Sequence, residues 1–109
     1  MSAVTSAIAD HCVERFCELI NCAEGLRHDW KDGKCHAPIA LHGMEWYLTS
    51  VHVLANELIV LLRSLDAADD LSRTCIVVRS QLAMTEIADH IHAVRKGAIE
   101  RAAELYLAR

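Results

Sequence analysis

Seven histidines and five cysteines in a chain of 109 residues are the side chains that could hold a metal or act as nucleophiles, so their spacing is decisive. A di-iron bundle needs Glu-x-x-His pairs projecting inward from facing helices. The chain offers only reversed versions, His11-Cys-Val-Glu14 and His42-Gly-Met-Glu45, and the pair Glu86 and His90 one helical turn apart. On the helices proposed below, His42 falls near the back of its helix, Glu45 on a flank, and Glu86 and His90 outward, which is the placement of solvated side chains. Cys12, Cys17 and Cys22 step by five residues, a rotation of about 140° per step, so they cannot share one ion. Cys12 reads as a small core hydrophobe. No Cys-x-x-Cys pair occurs, which removes the usual dithiol and haem-attachment chemistry.

One cluster survives. His28, Cys35 and His36 lie in a polar stretch where a loop could gather three zinc ligands, although a fourth is not evident. Cys35 beside His36 is also an adjacent nucleophile and base, yet a small bundle offers little cavity with oxyanion donors around such a pair. Glycine-rich phosphate loops are absent. The residues therefore predict no catalytic group, no cofactor and no metal in a protein that is not an enzyme. The alternative is a metal-binding bundle or small bundle enzyme using residues 28–36.

The elements that would carry any site are helices. The composition, with one proline, four glycines and a 53% apolar share, predicts a single all-α domain over residues 1–109. Ile8, Cys12, Phe16, Leu19 and Ala23 recur at helical spacing in a first helix from Ala3 to Glu24, with Gly25 as its stop. Residues 25–37 form a polar connector, and Pro38 suits the first turn of a second helix running to about Leu65. In that helix Met44, Val51, Leu58 and Leu65 make a core stripe flanked by Leu48, Leu54, Leu61 and Leu62. Ile39, Trp46, Val53 and Val60, also seven apart, fall roughly on the opposite side at about 100° per residue.

After an acidic turn from Asp66 to Asp70, with Asp70 as a cap, Leu71, Cys75, Val78 and Leu82 make a third stripe. Ile87, Ile91, Val94, Ala98, Ala102 and Leu105 make another that is out of phase with it. Either the chain breaks near Ala83 to Thr85, with Thr85 capping a fourth helix, or one helix of nearly forty residues shows different faces to different neighbours. The fold class is thus a small antiparallel bundle of three to four helices.

Small domains struggle to hide this much apolar surface, so the second stripe of helix two is expected at a seam or partner face and the protein is expected to be a homodimer, the alternative being a monomer that buries helix two on both sides within the bundle. Ile39, Trp46, Val53 and Val60 are the interface residues. Trp30, set among charged neighbours, is either a lid on the core or a further hot spot of the interface. The charged face Asp89, Arg95, Lys96, Glu100, Arg101 and Glu104 reads as solvated surface. Eleven basic against fifteen acidic residues, net −4, disfavour direct nucleic-acid binding. No run of apolar residues is long enough to span a bilayer, and free thiols without a signal peptide fit the cytoplasm.

In size and layout, and in the segment LINCAEGLRHDWKDGKCHAPIALHGMEWYLTSVHVLANEL over residues 19–58, the chain resembles the QslA-type antiactivators of pseudomonad quorum sensing. The resemblance implies a dimeric helical protein that binds the ligand-binding domain of a LuxR-type transcription factor. That contact would block the factor's dimerisation and its hold on DNA.

Overall fold

Apolar residues three and four apart from Cys12 to Ala23 need one continuous helix to share a face. In the computed structural model, which describes residues 3–64 and 70–108, α1 spans Ala3–Lys31. Cys12, Phe16, Leu19 and Ala23 are buried along it. The helix does not stop at Gly25. An interior glycine costs about 1 kcal/mol relative to alanine, but Leu26 and Trp30 continue the same stripe and pack against the core, which offsets that cost. The stop is Gly33, at a φ of 76° that suits glycine. Its amide donates to the Trp30 carbonyl at 3.1 Å and the Lys34 amide donates to the Asp29 carbonyl at 2.8 Å, the paired bonds of a Schellman cap.

Residues 25–31 of the expected connector are therefore helical. The His36 carbonyl accepts the Ile39 and Ala40 amides, both at 3.1 Å, and α2 runs over Ala37–Ser64 with Pro38 in its first turn. Its inner face is Ala40, Met44, Val51, Ala55, Leu58 and Leu62. Leu65 and the acidic turn before Asp70 lie outside the described residues, as do the side chains of Ile8, Asp70 and Leu71.

The rest of the chain is one helix, α3, of 38 residues over Asp70–Leu107. Thr85 does not cap a fourth helix. Its Oγ1 donates to the Gln81 carbonyl at 2.9 Å, a bond made inside a continuing helix. The expected stripe of Cys75, Val78 and Leu82 is on the wrong side: all three are exposed, and Ile76, Ser80 and Ala83 are buried instead. The buried set is in phase with Ile87, Ile91 and Val94, so one face of α3 serves from Ile76 to Val94. Ser80 is tolerated there because its Oγ donates to the Val77 carbonyl at 2.8 Å, so its own hydroxyl is paired.

Each helix packs against the other two. Leu26 lies against Gly43, Trp30 against Gly97 and Glu45 beside Arg95, so α2 is antiparallel to α1 and α3, which run side by side in one direction. The result is an all-α bundle of three helices with no strand among the described residues. It is a rod of 65 × 19 × 15 Å. The radius of gyration of 17.7 Å exceeds the roughly 13 Å of a compact chain this long, because α3 alone is about 57 Å from end to end.

Two glycines test the packing. A Cβ on Gly25 would meet nothing within 4 Å, whereas one on Gly97 would stand 2.3 Å from the Trp30 ring. Gly25→Ala should therefore stabilise the fold by about 0.5–1 kcal/mol through helix propensity. Gly97→Ala should destabilise it by about 1 kcal/mol or more, because the indole has to move. Urea unfolding followed by circular dichroism compares the two.

Candidate functional site

The histidines and cysteines do not converge. Among the described residues no group of three or more His, Cys, Asp or Glu side chains is placed to hold a metal ion. His28 is helical and sits 3.7 Å from Glu24 on the surface, Cys35 turns inward with its Sγ 4.0 Å from the Leu26 carbonyl, and His36 begins α2 through its carbonyl. The reversed His and Glu pairs are equally scattered. His11, Glu14, His42 and Glu86 are exposed, while Glu45 accepts from Arg95 Nη2 at 2.9 Å. His90, expected outward, is half-buried at the α1–α3 edge, its Nδ1 3.4 Å from Arg27 Nη1.

The feature that stands out is the outer face of α2. Ile39, Trp46, Val53 and Val60 are 61%, 59%, 47% and 64% exposed, in line along the helix and facing away from Met44, Val51 and Leu62. The bundle does not cover this stripe. The Trp46 ring is held edge-on against Tyr47, with centroids 5.5 Å apart at 73°, so the largest side chain of the face is already oriented. The polar residues between the four are compatible with burial: Thr49 Oγ1 donates to the Glu45 carbonyl at 3.0 Å and Ser50 Oγ to the Trp46 carbonyl at 2.9 Å. Leu61, counted from sequence with the core flank, is also largely exposed and borders a shallow groove with Asn56, Glu57 and Val60. The unbroken apolar run Leu58 to Leu62 hides its phase in sequence.

Trp30 is half-buried against the core, with its ring beside Gly97 and the Arg101 guanidinium 4.3 Å from its centroid. A second outward patch on α3 contains Val77, Val78 and Leu82, and Leu82 lines a narrow α1–α3 groove with Val13, Phe16 and Arg79. The sequence hides this patch because Val78 and Leu82 carry the spacing of a core stripe.

The thiols also differ. Burial, with a smaller contribution from Cys75, pushes the Cys12 thiol from 9.0 up to about 11, while Cys17, Cys22 and Cys75 are exposed. Burial likewise raises the Tyr47 hydroxyl, assisted by the charge of Cys22 and a hydrogen bond to it.

Compared with known proteins, the chain matches no family model, no curated protein and no solved structure. Among the described residues no helix is long and apolar enough to cross a membrane.

If the α2 stripe lies outside the core, truncating it spares the fold. Val60→Ala should change unfolding free energy by less than about 0.5 kcal/mol at high dilution, whereas Leu62→Ala, at a fully buried position, should cost about 2–5 kcal/mol. Equal losses would place Val60 in the core. Cys12 should resist iodoacetamide at neutral pH while Cys17 and Cys75 react. Its folded pKa lies above the unfolded value of 9.0, so its share of stability is complete below pH 9.0 and is lost as pH rises toward about 11. A flat melting temperature across that window, or early alkylation of Cys12, would contradict the burial.

Proposed function

We propose that this chain is a non-enzymatic regulatory protein that works by contact, laying the outer face of α2 over a complementary groove or dimer surface on another protein, and that it self-associates through the same face. The observation that carries the reading is the uncovered stripe of Ile39, Trp46, Val53 and Val60 on a helix whose other side is core. Amphipathic helices dock into grooves through anchors spaced in this way, and a tryptophan held by a neighbouring ring suits a hot spot.

The proposed partner is the ligand-binding domain of a LuxR-type transcription factor in the cytoplasm, as the resemblance of residues 19–58 to QslA-type antiactivators suggests. Covering that domain's own dimer surface stops the factor from dimerising and therefore from holding DNA. The inhibitor does not itself touch the nucleic acid, in keeping with its net charge of −4. Because a second copy and the partner compete for one face, the concentration of single copies sets the inhibitory capacity.

Trp46→Glu should weaken binding to such a domain at least about tenfold, since a charge is forced into a desolvated hot spot. The helical circular dichroism of the variant should stay unchanged, because Trp46 lies outside the core. Calorimetric titration with the purified ligand-binding domain measures the first and far-ultraviolet spectra the second. Undiminished binding by the variant would remove α2 from the interface.

A further inference from the structure

We propose that the groove between the end of α1 and the C-terminal part of α3 binds an aromatic amino acid. The carboxylate of that ligand faces Arg27 and Lys31, its ammonium group faces Glu100 and Glu104, and its ring lies on the wall made by Trp30 and Arg101. No residue of α2 lines this groove, so the site stands apart from the contact reading above.

The groove exists because its floor is built from small residues. Ala93 and Gly97, one turn apart on α3, leave a space of about 370 Å³ beside the Trp30 ring. That is the lower end of the roughly 300–1,000 Å³ of small-molecule sites, the size range for a ligand no larger than an amino acid. The ring itself keeps position 97 bare, since even a Cβ there would stand 2.3 Å from it. The wall is flat. Arg101 holds its guanidinium 4.3 Å from the centroid of the half-buried indole, and a planar cation on an aromatic ring offers a surface on which a further ring can stack.

Charge selects the rest of the ligand. Arg27 and Lys31 stand one turn apart on the α1 side, and Glu100 and Glu104 one turn apart on the α3 side. Opposite charges lining one groove ordinarily pair across it. Here neither of these two pairs, nor Arg101, forms an ion pair with another described residue. Each helix instead sets like charges side by side along its own surface, an unfavourable arrangement that a counter-charge between the helices would relieve. Arg27 is also anchored at one end of the groove, its Nη1 3.4 Å from His90 Nδ1, one turn before Ala93.

A simple anion would meet Arg27 and Lys31 but bring its charge beside two carboxylates, and a simple cation would meet the reverse conflict. A molecule that carries both charges satisfies both sides at once, and an aromatic body uses the wall between them. Because the charged side chains are exposed, their pull is screened by salt and the affinity is modest.

The test is calorimetric titration of the full chain at low ionic strength. L-Phenylalanine has both charges and the ring; 3-phenylpropanoate lacks the ammonium group, phenethylamine lacks the carboxylate, and glycine lacks the ring. L-Phenylalanine should bind at one site per chain with a dissociation constant of about 1 mM or tighter, and each of the other compounds at least about tenfold more weakly. It should shift the indole proton resonance of Trp30 and leave that of Trp46 in place. Lys31→Gln and Glu104→Gln should each weaken it about fivefold, with unchanged helical circular dichroism because both residues are exposed. Equal binding of 3-phenylpropanoate would reduce the groove to an anion site and equal binding of phenethylamine to a cation site, and either result overturns the zwitterion. Equal binding of glycine overturns the aromatic wall. The site itself is overturned if L-phenylalanine does not bind saturably, if it shifts Trp46 instead, or if neither substitution weakens it.

Discussion

In a bundle of three helices, each helix borders one shared seam and has an outer side that the other two helices do not reach. A cross-section of 19 × 15 Å is less than two helix diameters in either direction, so no helix is surrounded. A helix that is apolar on one side fits this arrangement, and one that is apolar on two sides must expose one of them. α2 is the second kind. Met44, Val51 and Leu62 fill the seam, and Ile39, Trp46, Val53 and Val60 are left on the outside as a geometric consequence.

The seam is narrow because much of it is lined by small residues. Ala23, Ala40, Ala55, Ser80 and Ala83 are buried, and Gly43 and Gly97 admit the Leu26 and Trp30 side chains where a Cβ would collide. Close approach lets a few large side chains, Phe16, Leu19, Met44, Leu62 and Ile87 among them, interlock across it. Val78 and Leu82 on α3 lie on the outer side, while the small Ser80 and Ala83 take the inner positions beside them. The Arg95–Glu45 pair and the Arg101–Trp30 contact hold the long helix at the edges of this seam, but the ion pair is more than half exposed and adds little to stability.

An outer face presented by a rigid, well-packed helix is a surface that binds with little loss of conformational freedom. Its anchors are β-branched or, in the case of Trp46, held against a neighbouring ring, so few rotamers have to be frozen on contact. Such a face could carry a function where no cluster of metal-binding groups converges among the described residues. On the proposed reading, the same property would make the face attractive to its own copy, so that self-association competes with capture of a partner.

The sequence alone determined the helical class, the buried stripe of α1 from Cys12 to Ala23, the start of α2 at Pro38, and the existence of two apolar sides on α2. Each depends on spacing within one helix, and helical periodicity is a local property of the chain. Only the tertiary structure decided that α1 passes through Gly25 to a cap at Gly33, because the compensation for that glycine comes from Leu26 and Trp30 packing on other helices. It also decided that α3 is one helix whose core phase runs through Ser80 and Ala83, since small residues read as core only when a neighbouring helix is close enough to need them. Which side of α2 faces inward follows from the same cause: the chain carries both stripes, and it takes α1 and α3 to choose between them.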